Sequence, residues 1–249
     1  MTKHLLLLLL ISILISNSSC EHQKTDNQKE NSTDTTIKEA PKNSETPAPE
    51  PTKTASDFVP EDFVLFEKVL GDLNKDGEED CVLIIKGTDT TKFVQDEYQG
   101  ELDRNRRGVI VLFQKEGAYE VASKNYDCFS SEVEDGGVYF PPELSVEIDK
   151  GKLYFHYGHG RYGYWKYTFR YQEDDFKLIG FDLNENHGPV MHYSHSFNFL
   201  TGKKQIRENT NFYTETPDIE VIKETWEDIG KKALQNLSSI EDFDDLYFE

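Results

Sequence analysis

Aromatic and polar residues alternate strictly from residue 165 to residue 171, and this alternation limits the fold more than any other feature of the sequence. Four rings share one face and three polar side chains share the other: Trp165, Tyr167, Phe169 and Tyr171 against Lys166, Thr168 and Arg170. A period of two is typical of an antiparallel strand with one buried face, because successive side chains of a strand point to opposite sides. The stretch therefore predicts an antiparallel sheet.

Further strand signals follow one another between residues 57 and 249, separated by short polar turns. Runs rich in β-branched and aromatic residues predict strands near 81–85, 109–113, 118–122, 144–148, 153–157, 176–181 and 191–200. We therefore predict one mainly β domain at 57–249, built from antiparallel meander sheets in a sandwich or propeller-like arrangement.

Three segments of this domain are harder to interpret from their patterns. Residues 63–69 fit a strand or one short helix, and residues 88–107 are polar enough to predict a long surface loop. Residues 218–249 are ambiguous, because Ile219, Ile222, Trp226 and Ile229 fit a helical stripe while the run from Thr225 to Leu237 fits an extended segment equally well. These alternatives stay open at the level of the sequence.

The N-terminal residues predict export. Residues 5–15 form an apolar run broken only by Ser12, which is typical of a signal peptide and too short to cross a bilayer, since a helix needs ~20 apolar residues. Ser18 and Ser19 precede Cys20 in an arrangement that resembles the lipobox of bacterial lipoproteins. The resemblance implies a signal peptide at 1–19, lipidation of Cys20 and anchoring to a membrane of the cell envelope. Ordinary secretion with a free Cys20 is the alternative.

Residues 20–56 contain almost no large apolar side chain, and the segment is rich in Lys, Glu, Thr, Ser, Asn and Pro. Such a segment buries too little surface to offset its chain entropy, so we expect a disordered tether. The whole chain has 47 acidic and 27 basic residues and a formal net charge of −20, which argues against nucleic acid as a partner.

The stretch from Asp72 to Asp80 has the residue types and spacing of a calcium loop. Side-chain oxygens fall at alternate positions on Asp72, Asn74 and Asp76, a glycine follows for the turn, and Asp80 comes at position 9. The carbonyl of Glu78 would supply position 7. An EF-hand would place a glutamate at position 12, where this chain has Leu83 followed by a β-branched strand, so the helix–loop–helix motif is excluded.

Residues 71–85, with this loop and the strand after it, resemble the FG-GAP/VCBS repeat of integrin-type β-propellers. The resemblance implies a loop between two strands that holds calcium through Asp72, Asn74, Asp76 and Asp80. Sequence stretches near 106–112, 164–171 and 200–203 resemble uncharacterised bacterial lipoproteins that carry one such motif. That wider resemblance implies no particular activity.

A glycine-rich bend at 158–163 is surrounded by rings and one arginine: Tyr157, Arg161, Tyr162, Tyr164 and Trp165. Flat rings suit the apolar faces of sugars, so the bend is a candidate site for a cell-wall glycan. The alternative is that these rings belong to the core of two paired strands, with Arg161 and Tyr162 as the most exposed members.

The histidines of the domain are interpreted as ordinary residues rather than zinc ligands. They lie at 156, 159, 187, 192 and 195, and His192 and His195 would point to opposite faces of a strand.

Two cysteines remain in the predicted domain, Cys81 and Cys128, which either form a disulfide or are two small core residues.

The sequence contains no nucleophile elbow, no His-Glu-x-x-His and no P-loop. We therefore predict a non-catalytic binding or structural module. The alternatives are a glycan-binding protein, enzyme inhibitor or glycan-acting enzyme using the bend, and a scaffold that binds basic protein partners through its acidic surface.

Overall fold

The computed structural model describes residues 53–133, 143–214 and 219–248, which all lie in one compact unit, Pro49–Glu249. The predicted signal peptide at 1–19, Cys20 and the tether up to residue 52 lie outside the described residues. Within the described ranges, no helix has the length and apolar character needed to cross a bilayer.

The described residues are mainly β, as predicted, with thirteen strands and four short 3₁₀ helices. The strands are β1 Phe63–Gly71, β2 Asp80–Gly87, β3 Phe93–Asp96, β4 Gly100–Asp103, β5 Arg107–Lys115, β6 Ala118–Phe129, β7 Glu143–Asp149, β8 Lys152–Gly158, β9 Gly163–Gln172, β10 Asp175–His187, β11 Val190–Asn198, β12 Lys203–Asn209 and β13 Ile222–Asp228. The 3₁₀ helices are Ala55–Phe58, Thr90–Lys92, Gly160–Tyr162 and Leu237–Ser239.

These strands form two large antiparallel sheets and one small hairpin. The first sheet has four strands in the order β1-β2-β5-β6, and the second has seven strands in sequence order from β7 to β13. All neighbouring pairs run antiparallel, which confirms the predicted meander. The hairpin pairs β3 with β4. No ring of repeated four-stranded blades is present in the part of the chain that the structure describes.

The main hydrophobic core lies between the two large sheets. Val82, Ile84, Val109 and Val111 contribute from the four-stranded sheet, and Leu153, Phe155, Tyr167 and Phe169 contribute from the seven-stranded sheet. Tyr167 and Phe169 are among the rings whose alternation predicted a buried face, and they are 2% and 0% exposed. The face of β9 that carries these rings is therefore its buried face, and the four-stranded sheet packs against it.

A second, smaller core covers the outer face of the four-stranded sheet. Cys81, Leu83 and Ile85 of β2 pack there with Ala55, which is 3% exposed. Strand β2 is thus buried on both faces, which explains why its sequence is a continuous apolar run. The folded unit also begins before the predicted boundary at residue 57, because the 3₁₀ helix Ala55–Phe58 belongs to this core.

The C-terminal segment after β13 crosses the molecule in irregular conformation and closes the main core. Phe243 is 0% exposed and stacks on Phe129 with the ring centroids 4.7 Å apart. Its carbonyl accepts a hydrogen bond of 2.8 Å from the Tyr167 hydroxyl. The Asn125 amide donates to the carbonyls of Leu237 and Ile240 at 2.9 and 2.7 Å. Of the two alternatives for this segment, the extended one is correct and the helical one is wrong.

Two other interpretations of the sequence are decided by the structure. Residues 63–69 are a strand, part of β1, and the predicted surface loop at 88–107 contains a 3₁₀ helix and the β3–β4 hairpin. That hairpin turns where Asp96 accepts hydrogen bonds from the N–H groups of Tyr98 and Gln99 at 2.8 and 2.9 Å. The polar composition of residues 88–107 gave no strand signal, although the segment forms a hairpin whose turn is stabilised by the Asp96 carboxylate.

Both cysteines of the domain are free thiols and both are fully buried. Cys81 belongs to the outer core and Cys128 to the main core, so their side chains lie on opposite faces of the four-stranded sheet. A disulfide requires the two Cβ atoms to approach each other, which this arrangement prevents. The structure therefore shows two core cysteines in place of the hypothesised bridge.

Candidate functional site

The candidate calcium loop joins β1 to β2 and is folded around its own side chains. Asp72 accepts hydrogen bonds from the backbone N–H groups of Lys75 and Gly77, at 2.6 and 3.1 Å. Gly77 has a φ of 90°, a left-handed conformation that glycine adopts without steric cost. The first carboxylate of the pattern therefore sets the turn of the loop.

The next two side chains of the pattern continue this arrangement. Asn74 Oδ1 accepts from the N–H of Asp76 at 2.9 Å, and Asp76 Oδ1 accepts from the N–H of Glu78 at 2.8 Å. The Asn74 amide also donates to Asp76 Oδ2 at 2.7 Å, which brings the two side chains together. Each accepting oxygen keeps a further lone pair, so these hydrogen bonds leave the oxygens able to bind a cation.

Asp80 has a different role from the other members of the pattern. It is 0% exposed, and its Oδ2 accepts from the N–H groups of Leu73 and Asn74 at 2.7 and 3.3 Å. Its Oδ1 accepts from the N–H of Gln114 at 3.0 Å. Burial raises the pKa of Asp80, while these hydrogen bonds act in the opposite direction. The carboxylate therefore ties both ends of the loop to β5, a structural role that spacing alone did not indicate.

The donor set of the loop consists of oxygen atoms, which are the ligands that calcium prefers. Asp72, Asn74 and Asp76 present side-chain oxygens from the partly exposed rim of the loop, whereas the Asp80 carboxylate is enclosed and bonded to backbone. Within residues 53–133, 143–214 and 219–248, no three His, Cys, Asp or Glu side chains form a group arranged to hold a metal. The loop's donors thus fit a hard cation in chemistry, with an asparagine amide and a backbone carbonyl needed to complete the set.

The aromatic bend is divided by the structure into a buried part and an exposed part. Tyr157 is 1% exposed and stacks on Trp165 with the centroids 5.7 Å apart, as members of the main core. Tyr164 packs beside His156 at 5.1 Å. Tyr162 is 40% exposed, and Arg161 is also exposed; both lie in the short 3₁₀ helix between β8 and β9. The five residues therefore do not form one platform, and the two expected to be most exposed are the ones at the surface.

Arg161 and Tyr162 line an open cleft of about 530 Å³. The Arg161 guanidinium lies 5.1 Å from the centre of the Tyr162 ring and donates to its hydroxyl at 3.0 Å. The other walls come from the β10–β11 turn and from the segment after β12. The residues that line the cleft are Arg161, Tyr162, His187, Gly188, Pro189, Val190 and Phe212. Sequence reasoning did not identify His187 or Phe212 as site residues, because no short motif connects them with the bend.

One glycine fixes the approach of the bend to the neighbouring strand. Gly163 has a φ of 116°, and a Cβ atom there would lie 1.9 Å from the carbonyl oxygen of Asn184. Only glycine fits this backbone position, because every other residue would clash with β10. Gly163 therefore determines where Arg161 and Tyr162 stand relative to the β10–β11 turn.

A hydrogen-bonded cluster stands beside the cleft. Glu185 accepts from the Tyr193 hydroxyl at 2.5 Å and lies 3.1 Å from Nδ1 of His192, whose ring stacks on Phe212 at 4.1 Å. The hydrogen bond from Tyr193 lowers the pKa of Glu185, and the same bond raises the pKa of Tyr193 to about 12. Phe212 is thus held in the cleft wall by the His192 ring, which is itself held by Glu185.

Comparison of the chain with protein-family models, with curated proteins and with solved structures finds no match. The loop and the cleft are therefore the two features of the chain that bear on its function. The structure places the loop between two antiparallel strands, β1 and β2, and the resemblance of residues 71–85 to the FG-GAP/VCBS repeat stays a prediction.

Proposed function

We propose that this chain is an exported, lipid-anchored protein of the bacterial cell envelope, whose β domain is stabilised by calcium and acts as a non-catalytic binding or structural module. The observation that carries the proposal is the position of the loop. It connects β1 to β2, and through Asp80 it is hydrogen-bonded to Gln114 of β5. Anything that rigidifies this loop therefore stabilises three strands of the four-stranded sheet.

Calcium would be held by side-chain oxygens of Asp72, Asn74, Asp76 and Asp80, the set that the repeat resemblance implies, with the Glu78 carbonyl supplying position 7 of the loop. The ion would supply positive charge among carboxylates that otherwise repel one another. The residues of the chain position these oxygens through the backbone hydrogen bonds of the loop. The role is structural, since it fixes how two strands enter a sheet.

The test is the dependence of the melting temperature on divalent cations. We expect calcium to raise the melting temperature of the wild type relative to EDTA, and Asp76→Ala to abolish that rise. Asp96→Ala is the matched control, because Asp96 also accepts two backbone N–H groups in a turn but lies outside the loop. Identical wild-type melting curves in calcium and in EDTA would refute the calcium proposal.

The lipid anchor is tested separately from the metal. Cells that express the full chain with a labelled fatty acid should incorporate the label, and Cys20→Ser should prevent incorporation. Release of an unlabelled wild-type protein into the medium would instead indicate ordinary secretion.

The cleft supports a second candidate function, recognition of a cell-wall glycan by a binding protein, an inhibitor or a glycan-acting enzyme. Its combination of the Arg161 guanidinium with the exposed ring of Tyr162 and the half-buried ring of Phe212 suits a sugar that also carries a carboxylate. Flat rings stack on apolar sugar faces, and the guanidinium binds carboxylate oxygens in a bidentate manner.

Binding of soluble peptidoglycan fragments measures this second candidate. We expect Tyr162→Ala to weaken binding up to about tenfold, since one stacking ring contributes roughly 0.5–1.5 kcal/mol. Tyr98→Ala is the control, because Tyr98 is 89% exposed on the β3–β4 hairpin. Chromatography of the fragments after incubation separates a binding protein from an enzyme. Equal binding by all three proteins, or none by the wild type, would eliminate the cleft as a glycan site.

A further inference from the structure

A cavity of about 380 Å³ opens at the edge of the main core, beside the end of β11. We call it the Phe248 cavity, after the ring that forms one of its walls. Its floor includes Leu178 and Phe197, which are 2% and 3% exposed and belong to the main core. Its walls include Phe199, Ile229 and Phe248, which pack against that core but are only partly buried. The apolar core therefore continues into a space with an opening to solvent.

The aromatic walls of the Phe248 cavity pack against one another. The centroid of the Phe248 ring lies 5.0 Å from that of Phe199 and 4.8 Å from that of Phe181. The rings of Phe197 and Phe199 are 6.0 Å apart. Because each ring packs against another ring, the walls are preorganised around the space that they enclose.

One side of the cavity is formed by a short segment that is attached at both ends. The N–H of Ile229 donates to the Gly202 carbonyl at 2.9 Å, and the N–H of Leu178 donates to the Gln235 carbonyl at 2.9 Å. Between these two anchors lies the segment 230–234, which has no regular secondary structure. The residues of this segment that line the cavity are Gly230, Lys232, Ala233 and Leu234. The segment therefore borders the cavity between two fixed points.

The charges around the cavity differ from those of the chain as a whole. The chain has 47 acidic and 27 basic residues, yet none of the described residues that line the cavity is acidic. Lys232 lines it, is exposed, and forms no ion pair with a described residue. The nearby Lys203 and Lys204 of β12, in contrast, pair with Asp228 and Glu227. One unpaired positive charge thus stands at the opening of an apolar space.

An apolar chain that ends in one carboxylate matches this combination. A cavity of this volume holds roughly a dozen groups the size of a water molecule, each of which takes about 30 Å³, so an acyl chain of medium length fits. Burial of each methylene among the rings is favourable. A lysine ammonium binds a carboxylate as a point charge, without the fixed geometry that an arginine imposes.

We propose that the Phe248 cavity binds a medium-chain fatty acid, with the acyl chain among the rings and the carboxylate paired with Lys232. This site is distinct from the calcium loop and from the Arg161–Tyr162 cleft, and its occupation does not depend on the function of either.

Isothermal titration calorimetry with sodium octanoate tests the proposal. The protein is residues 21–249, which contain all the described residues and lack the lipidation site at Cys20, so that no attached acyl chain competes. We expect saturable binding of one octanoate per chain. Butyrate has four methylenes fewer and should bind at least about tenfold more weakly. Octanol has the same chain without the charge and should also bind more weakly than octanoate.

Two neighbouring lysines separate a specific site from a general effect of charge. Lys232→Glu should weaken octanoate binding about tenfold, because it replaces an attraction at the opening by a repulsion. Lys231→Glu is the matched control, since it makes the same change in net charge on the same segment. Lys231 is also exposed but does not line the cavity, so octanoate affinity should stay within about twofold of the wild type.

A third variant fills the cavity. Ala233 lines it from the irregular segment, and the ring of Ala233→Trp should occupy the space and abolish octanoate binding. If this variant does not fold, the comparison of the two lysines still decides the question. The proposal is overturned if the wild type shows no saturable octanoate binding, if octanol binds as tightly as octanoate, if the two lysine variants bind octanoate equally, or if a folded Ala233→Trp binds it like the wild type.

Discussion

At the scale of single residues, the Asp80 carboxylate accepts backbone hydrogen bonds from both the loop and a neighbouring strand. Its two oxygens accept three backbone N–H groups, from Leu73 and Asn74 in the loop and from Gln114 in β5. Asp80→Asn replaces one accepting oxygen by an amide that must face an N–H group. We expect a loss of about 1–3 kcal/mol in the free energy of unfolding, because at least one buried donor becomes unsatisfied.

Urea denaturation in the presence of EDTA measures this loss without any contribution from calcium. Asp76→Asn serves as the comparison, because Asp76 is exposed and should cost much less under the same conditions. An equal loss in both variants would show that Asp80 has no special structural role.

Cys128 allows a prediction on pH. Burial raises the pKa of its thiol, and in an unfolded chain the thiol ionises near pH 9. Above that pH the unfolded state loses a proton that the native state keeps, so this group's contribution to stability is present below pH 9 and is lost as the pH rises. Cys128→Ala should flatten the decline in the free energy of unfolding between pH 8 and about 10, relative to the wild type, in urea denaturation.

Thiol reactivity checks the same feature by a second route. Iodoacetamide at pH 8 should label neither cysteine of the native domain and should label both in denaturant without prior reduction, because both are free and buried. A need for reductant before labelling would indicate a disulfide.

The two adjacent arginines illustrate what a sequence can reveal about single residues. Arg106 and Arg107 are chemically identical neighbours, yet one is ion-paired at the surface and the other is buried. Their difference arises because Arg107 begins β5 with its side chain buried, whereas Arg106 precedes the strand and reaches Asp127 and Asp242. The spacing of Asp72, Asn74 and Asp76 could be interpreted from the sequence because these residues act locally, through their own loop.

At the scale of elements, the turn from the bend into β9 is the most sharply constrained. Gly163→Ala should destabilise the domain by about 1–3 kcal/mol from backbone strain alone, and a clash with the Asn184 carbonyl would add to this. Gly160→Ala is the control in the same bend, because its φ is 55° and a Cβ there meets nothing within 4 Å. Thermal melting of the two variants compares them, and a larger effect at Gly160 would contradict the described geometry.

Strands with one buried face were predictable, and strands without one were not. Strands β8 and β9 alternate clearly because each faces the main core with every second residue. Strand β13 forms the edge of its sheet and is exposed along nearly its whole length, with Trp226 62% exposed. Its pairing depends on backbone hydrogen bonds to β12, which leave no hydrophobic period in the sequence. The cleft was only half predictable for a related reason, since Phe212 reaches it through tertiary structure.

At the scale of the whole molecule, the excess of acidic residues should make stability depend on salt. With a formal net charge of −20, mutual repulsion opposes the compact state, and salt screens it. We expect sodium chloride in EDTA to raise the melting temperature by about 2–4 °C for each kcal/mol of repulsion that is removed. A fall in the melting temperature would show that ion pairs such as those of Lys86 with Asp103 and Glu132 outweigh the repulsion.

The position of Phe243 has a consequence for the order of events during folding. Strands β7 to β13 each pair with their neighbour in sequence, so this sheet can assemble from contacts that are close along the chain. The core beneath it stays open until Phe243 arrives, and the hydrogen bond from Asn125 to Ile240 joins residues that are 115 positions apart. A nascent chain would therefore expose the rings of the main core to solvent until Phe243 has emerged, a period in which chaperones and proteases compete for it.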